Sequence, residues 1–510
     1  MAAMPESALR FLLNGDLVEV AGLPPQTTLL EYLREQRGLC GTKEGCAEGD
    51  CGACTVVLAE PDSMGRLAWM PVNACIRLLP SVNAKAVFTV ESLQTPDGAL
   101  HPVQRALVDF HASQCGFCTP GFAMSLFGLY KNRHRPTRAD VSDALSGNLC
   151  RCTGYRPILD AADHMYAVAS ARQGETGWRS PGIAADGSRQ VNVEEERFAL
   201  QLAAIDEDEG LEYEAQGQTW FAPRTLDALA ATCLRHPSAH IVAGATDVGL
   251  RVTKQHRILG DIIHVGDCDE LRSILDARDA LEIGAAASLT DAFAALDAEW
   301  PELHEAWIRF ASVPIRNSAT LGGNVANGSP IGDSMPALIS LAATVVLRRG
   351  SATRELPLED FYLAYQKTAL VPGEFVAAIR VPHRTAGLLL RAYKISKRFD
   401  QDISAVFACF ALTLRDGRIA AARIGCGGVA PMPKRASATE AALAGRRWDE
   451  VAATIATKIL ASEFSPIADM RASAEYRSKV LGNLMRRFWL ETSGTPIVTR
   501  IDDVRVTSAE

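Results

Sequence analysis

Eight of the thirteen cysteines fall into two sets of four, both within the first 152 residues, and nothing else in the chain constrains it as tightly. The first set is Cys46, Cys51 and Cys54, spaced x4 then x2, closed by the distant Cys75. The second is Cys115-x2-Cys118, closed by Cys150-x-Cys152. The first spacing is that of a plant-type ferredoxin [2Fe–2S] site. Spacings this tight, in an odd total, suit metal ligation in a reducing cytoplasm better than a disulfide framework. Two one-electron centres in one chain imply an electron relay.

The residues around each set are consistent with this reading. Residues 7–92 read as a small β-rich module. Apolar runs at 9–13 and 17–20 flank Asn14-Gly15, a hairpin signal, and a short helix is expected over 28–34. The loop from Gly45 to Cys54 carries Gly45, Gly49 and Gly52. These glycines let the backbone curl and aim N–H groups at an anionic cluster. Thr55-Val-Val-Leu then leaves as a strand. Four thiolates would also hold zinc; the glycine-rich x4–x2 pattern favours iron–sulfur. Cys40 is read as an ordinary small side chain. Residues 93–170 read as helical. Thr119-Pro120 follows Cys118 and opens an apolar helix over 121–130, where proline suits the first turn. Cys150-Arg-Cys152 likewise precedes a helix. Each cysteine pair therefore faces a helix N-terminus, whose positive end favours an anionic cluster. Zinc remains chemically open here too.

At 510 residues the chain should form two to four domains. With 48% hydrophobic and 22% charged residues it can bury large cores. The net charge of −8, without a basic block, argues against nucleic acid as a partner. No apolar run is long enough for a membrane span, and the N-terminus lacks the pattern of a signal peptide. A cytoplasmic location is expected.

Residues 171–212 are rich in glycine, serine and charge and read as a linker, with a short helix near 194–204. Residues 213–385 read as mixed α/β without a strand–GxGxxG–helix unit. Two small-residue segments stand out. Ile241, Val242, Ala243, Gly244, Ala245, Thr246, Asp247 and Val248 follow an expected helix at 226–234. Ala319, Thr320, Leu321, Gly322 and Gly323 begin a second stretch that ends at Asp333. Each could cradle phosphates on backbone donors, and tight turns between strands explain either equally well. Residues 386–500 read as a separate α/β module: strands at 405–414 and 418–425 around Asp416-Gly417, a turn at 425–431, and helices at 448–461 and 472–490. Cys233, Cys268, Cys409 and Cys426 are read as packing residues. No side chain is singled out as a catalytic acid, base or nucleophile.

GCAEGDCGAC, QCGFCTPGF and NLCRCTGYRPIL resemble the iron–sulfur motifs of the molybdenum hydroxylases, the xanthine dehydrogenase and aldehyde oxidase family. The resemblance covers nearly the whole chain. It implies an α+β multidomain fold: a β-grasp [2Fe–2S] ferredoxin domain, a four-helix [2Fe–2S] domain, a vanillyl-alcohol-oxidase-type FAD domain and an α/β C-terminal flavoprotein domain. It implies one cluster on Cys46, Cys51, Cys54 and Cys75 and another on Cys115, Cys118, Cys150 and Cys152. It implies FAD on 241–248 and 319–323, with Phe310 beside the flavin ring and Asp333, Val376 and Lys394 as further flavin contacts. Tyr365 matches a tyrosine on the nicotinamide side. Gln401 falls where some relatives carry an acidic residue, in a loop that influences whether NAD or oxygen takes the electrons.

The chain stops after the flavin module, so a molybdopterin site is expected on a partner large subunit, in a heterotetramer of two small and two large chains. This order matches the small subunit of two-subunit bacterial xanthine dehydrogenases. The implied function is to pass electrons from molybdenum through both clusters to FAD and NAD+ while the partner oxidises a purine. Two rivals are a related hydroxylase acting on an aldehyde or N-heterocycle and a stand-alone iron–sulfur flavoprotein carrier.

Overall fold

Strands such as LRFLL and TVVLA are apolar almost without interruption, as strands buried on both faces must be. The computed structural model describes residues 8–171, 177–190, 192–206, 210–494 and 498–499. It places these strands inside a five-stranded sheet, on either side of the central strand Ala86–Phe88. Leu9–Leu13 pairs antiparallel with Asp16–Val20 and parallel with Ala86–Phe88; Thr55–Pro61 pairs antiparallel with Ala86–Phe88 and with Leu67–Asn73. The hairpin turns at Asn14 and Gly15, both at positive φ (57° and 98°), as the tight turn requires.

The chain forms two compact units. One comprises residues up to Arg272 with Ser288–Thr290 and Ala311–Thr320; the other comprises Ser273–Ala287, Asp291–Phe310 and the residues from Leu321 on.

In the first unit, alternate side chains of the central sheet enter two cores. Phe11, Val56 and Leu58 pack with Leu29, Leu33, Tyr213, Trp220 and Ile262. Leu12, Val57 and Phe88 pack with Phe122, Phe127, Ile158 and Met165. The latter come from the helical module, whose helices are Pro102–Asp109, Thr119–Asn132, Arg138–Leu145 and Arg156–Ala171. A four-stranded sheet of Leu211–Ala215, Gln218–Ala222, Ile262–His264 and His240–Val242 completes this unit.

The stretch expected as a linker is packed where it is described. Trp178 is buried, its ring 4.4 Å from that of Phe88. Helix Val193–Ile205, which covers the expected 194–204, buries Phe198 and Leu202 in the same core. The buried Lys131 ammonium donates to the carbonyls of Trp178 (3.0 Å) and Ser180 (2.8 Å) and to Glu195 (2.7 Å). A glycine- and charge-rich composition hid one anchoring tryptophan and the carbonyls and carboxylate that hold a buried cation from helix Thr119–Asn132.

The second unit contains an antiparallel sheet in the order Ile274–Asp276, Ala280–Gly284, Phe375–Pro382, Thr344–Arg349, Ala352–Pro357. A second antiparallel sheet, Leu388–Ile395, Val406–Arg415, Arg418–Gly427 and Lys434–Arg435, packs with Glu450–Glu463 and Ala474–Thr492 around Phe410, Ile424, Leu460 and Phe488. The hairpin of Val406–Arg415 and Arg418–Gly427 turns at Asp416-Gly417, both at positive φ (52° and 71°). The turn expected from 425 starts later: the strand continues to Gly427, and Gly428 takes the positive φ of 76°. Gly425 serves a close approach instead, since an added Cβ would lie 1.8 Å from the Pro336 carbonyl oxygen. Among the described residues no helix is long and apolar enough to cross a membrane.

Candidate functional site

The loop after helical residues 29–36 carries Cys46, Cys51 and Cys54, and Cys75 joins them from just beyond strand Leu67–Asn73. Cys54 and Cys75 are buried, while Cys46 and Cys51 are half-buried. The Cys51 amide points at Cys46 Sγ (3.3 Å), and the Asn73 side-chain amide lies 3.9 Å from Cys54 Sγ. The thiols touch one another. Hydrogen bonds from Cys51 and Cys75 hold Cys46 well below the usual thiol range, and the same contacts push Cys51 and Cys75 up. Among the described residues no three His, Cys, Asp or Glu side chains converge on a single metal ion. A [2Fe–2S] cluster instead spreads four thiolates over two irons, and this donor set fits it. Cys40 stands apart: it is exposed, with its Sγ 4.0 Å from the Arg34 carbonyl. A cavity of about 430 Å³ reaches Cys75 past Arg34, Ala47, Thr253 and Arg257.

In the second set Cys150 is buried, Cys118 half-buried, and Cys115 and Cys152 exposed. Cys118 immediately precedes helix Thr119–Asn132, and helix Arg156–Ala171 starts just after Cys152. Burial and the Cys150 thiol push Cys118 up to about 12. Burial opposes ionisation of Cys150 as well, but the Thr153 hydroxyl and amide outweigh it and lower its pKa. The Tyr155 hydroxyl accepts the Cys150 amide at 3.1 Å.

The two sets meet through the backbone. The Leu149 amide donates to the Cys51 carbonyl at 3.0 Å, so one hydrogen bond joins a residue of the first set to the residue preceding Cys150. Beside it, the Asn148 side-chain amide donates to the Gly52 carbonyl (3.1 Å) while its oxygen accepts from Ser125 (2.7 Å). Gly52 has a φ of +68°, and a Cβ there would lie 2.2 Å from the Gly147 carbonyl oxygen. Asn148 and Leu149 open the NLCRCTGYRPIL motif, but nothing in their type marks the contacts they make with Gly52 and Cys51.

The first small-residue segment leaves strand His240–Val242 and enters helix Val248–Thr253. Among the described residues, none of the backbone N–H groups of 243–247 has a hydrogen-bond partner. Open amides ahead of a helix start suit an anionic phosphate, so this loop fits the pyrophosphate of FAD. Gly244 allows the loop to lie against its neighbour: an added Cβ would sit 1.6 Å from the Ser318 carbonyl oxygen. Ala245 occupies positive φ (57°), and Val242 and Ala245 are buried while Ile241 and Asp247 are exposed.

Ala319 and Thr320 belong to the same unit as this loop, whereas Leu321, Gly322 and Gly323 open helix Leu321–Asn327 in the other. The Leu321 and Gly322 amides are already committed, to the Ala287 and Ala285 carbonyls. Gly322 permits that contact, since a Cβ would come within 2.4 Å of Ala285. Gly323 is exposed on the first turn.

In the second unit Asp333 and Lys394 form a buried ion pair (2.6 Å), and Ser404 donates to the other Asp333 oxygen (2.6 Å). A lone lysine belongs by default at the surface; this one is buried because it is paired. Phe310 is half-buried, edge-on to Phe293 at 5.4 Å. Val376 is buried beside a β-bulge at Val346/Leu347. Tyr365 is exposed between two short strands. In the 397–402 loop, burial would raise the Asp402 pKa, but the Arg398 and Lys397 amides donate to its carboxylate and keep it low. Gln401 sits at positive φ (55°).

Arg309 was missed by sequence reasoning. It donates to the Lys394 and Phe399 carbonyls and to Ser396, fixing this loop from beneath. Arg316 was missed as well. It pairs with Asp143 (2.6 Å) in the first unit. Both arginines are themselves buried, which only their partners explain.

Comparison with known proteins matches four successive stretches of the chain. Residues 11–77 match the family described as 2Fe-2S iron-sulfur cluster binding domain, and 89–163 match [2Fe-2S] binding domain. Residues 212–384 match FAD binding domain in molybdopterin dehydrogenase, and 391–492 match CO dehydrogenase flavoprotein C-terminal domain. The xanthine dehydrogenase of Emericella nidulans is 34% identical over 489 residues, covering 88% of this chain and 36% of that protein. The xanthine dehydrogenase/oxidase of Gallus gallus is 31% identical, covering 96% and 40%. Aldehyde oxidase 2 of Macaca fascicularis is also 31% identical, covering 95% and 39%. This chain thus spans about 36–40% of the length of these relatives. A structure of carbon monoxide dehydrogenase from Hydrogenophaga pseudoflava superposes with a TM-score of 0.50 at 26% identity, over 52% of this chain and 94% of the other.

Proposed function

Because this chain belongs to the molybdenum hydroxylase family through its iron–sulfur and flavin modules, we propose that it is the electron-transfer subunit of a xanthine dehydrogenase. In this reading electrons released by purine oxidation on a molybdopterin-binding large subunit pass through this chain to NAD+. The assembly pairs two such chains with two large subunits. The observation that carries the relay is the Leu149–Cys51 hydrogen bond, which leaves the two thiol sets one backbone contact apart.

When bound, two [2Fe–2S] clusters and FAD supply single-electron storage and the change from one- to two-electron transfer. The protein's part is to hold and shield them. Cys46, Cys51, Cys54 and Cys75 would hold the first cluster, with Cys54 and Cys75 as its buried side. Cys115, Cys118, Cys150 and Cys152 would hold the second, its exposed Cys115 and Cys152 facing outward. The open amides of 243–247 would take the FAD pyrophosphate, with 241–248 and 319–323 as the binding segments. Phe310, Asp333, Val376 and Lys394 are assigned as flavin contacts and Tyr365 to the nicotinamide side. No side chain of this chain is assigned as acid or base in purine oxidation.

The test uses the purified chain with and without its large subunit. Alone it should reduce an artificial one-electron dye from NADH and show no xanthine activity. With the large subunit it should transfer electrons from xanthine to NAD+. Xanthine oxidation by the single chain would refute the division of labour. Activity of the complex on an aldehyde but not xanthine would move the substrate to the aldehyde class.

A further inference from the structure

We propose that Lys254, a residue of the flavin module, sets the reduction potential of the first iron–sulfur cluster by holding a positive charge against the backbone of Cys46. This rests on the assignment of Cys46, Cys51, Cys54 and Cys75 as cluster ligands. Lys254 caps the C-terminal end of helix Val248–Thr253, the helix entered from the open-amide loop. Its ammonium donates to the Cys46 carbonyl at 2.6 Å and lies 3.4 Å from the Glu48 carboxylate.

The cysteine loop is itself acidic, with Glu44, Glu48 and Asp50. Its own lysine points elsewhere: Lys43 donates to the Cys40 and Gly41 carbonyls. The cation at Cys46 therefore comes from outside the loop. Reduction adds one negative charge to the cluster. A cation fixed at a ligand's carbonyl stabilises the reduced form and raises the potential, and a neighbouring anion does the opposite. Lys254 is bonded to the ligand residue itself and Glu48 is two residues away, so both charges act on the same centre with opposite sign. Both side chains are about two-fifths exposed (43% and 40%), so salt should weaken the effect. Lys254 touches the ligand's backbone and no reacting atom, so it is a positioning residue acting through Cys46.

The experiment is an EPR-monitored redox titration of the purified full chain. Lys254→Gln should shift the first cluster to lower potential and Glu48→Gln to higher, with Lys254→Arg close to wild type. The second cluster should stay put in all three. The shifts should shrink as ionic strength rises. Unchanged potentials, shifts of one sign in both neutralising variants, or a salt-independent shift would overturn the proposal, the last two by assigning the effect to backbone rearrangement. If Lys254→Gln fails to retain iron, the upward shift in Glu48→Gln decides alone. Absence of a first-cluster signal in the wild-type chain would overturn the ligand assignment and this proposal with it, whereas a missing NADH–dye activity would leave both intact.

Discussion

Gly244→Ala is the sharpest test of the FAD assignment. The new Cβ would stand 1.6 Å from the Ser318 carbonyl oxygen, about 2 Å short of a normal contact. The backbone fixes where the Cβ stands and the Ser318 oxygen is itself backbone, so no side-chain rotation relieves the clash. The loop must lift away from the 313–318 helix, carrying the amides of 243–247 with it. Overpacking of this kind costs about 1–3 kcal/mol. If the open form is the one that no longer grips the phosphates, that cost becomes a loss of about 5- to 150-fold in FAD affinity. The thiol sets lie on other loops, so iron content should not change. The assay is a flavin-to-iron ratio on the purified variant, followed by FAD titration of the stripped protein by flavin fluorescence. Wild-type affinity in Gly244→Ala would show that this loop does not hold the flavin. Parallel loss of iron and flavin would show general unfolding instead.

Four further outcomes are expected. Low-temperature EPR of the reduced chain should show two [2Fe–2S] signals; Cys51→Ser should remove one and Cys40→Ser neither, while stoichiometric zinc would defeat the assignment. Gly323→Val, at an exposed position, should purify with iron but little flavin, whereas Gly322→Val should disturb the fold because its Cβ meets Ala285. Lys394→Met strands the buried Asp333 carboxylate and should cost about 3–5 kcal/mol; adding Asp333→Asn should recover part of the loss in a thermal melt, and a single variant as stable as wild type would refute the pairing argument. Burial would raise the Asp267 pKa, but Lys85 at 2.8 Å and His264 pull it well below the usual range. Its stabilising effect is therefore present above the ordinary carboxylate pKa and lost as pH falls through the depressed value. Asp267→Asn should thus be less stable than wild type near neutrality, and that deficit should narrow in acid; a deficit that grows on acidification would contradict this.

Much of the fold was legible because local signals agreed with one another. Asn14-Gly15 and Asp416-Gly417 turn where their residue types allow positive φ, and Pro120 opens the helix after Cys118. Cysteine spacing marked both thiol sets, since tight x2 and x4 intervals leave few geometries. What stayed hidden depends on partners distant in sequence. Trp178 sits in a stretch of linker-like composition, and only the facing Phe88 and Trp69 reveal it as core. Lys394 looks like any surface lysine until Asp333, sixty-one positions away, is placed beside it. The two small-residue segments looked equivalent in composition, yet one keeps its amides open and the other has spent those of Leu321 and Gly322 on Ala287 and Ala285.

The contact at Gly52 has an evolutionary consequence. The two thiol-bearing modules look like interchangeable cassettes, yet Gly52 is wedged against Gly147 and Asn148, and Gly121 of the second module meets the Gly52 carbonyl oxygen (2.1 Å from an added Cβ). Any residue larger than glycine at 52 or 121 has to be accommodated on the opposite module at the same time. A ferredoxin module borrowed from another protein would not fit this helical partner unless it brought its own glycine to this position. The seam therefore makes the pair a single unit of inheritance, and recombination is expected to exchange the two modules together.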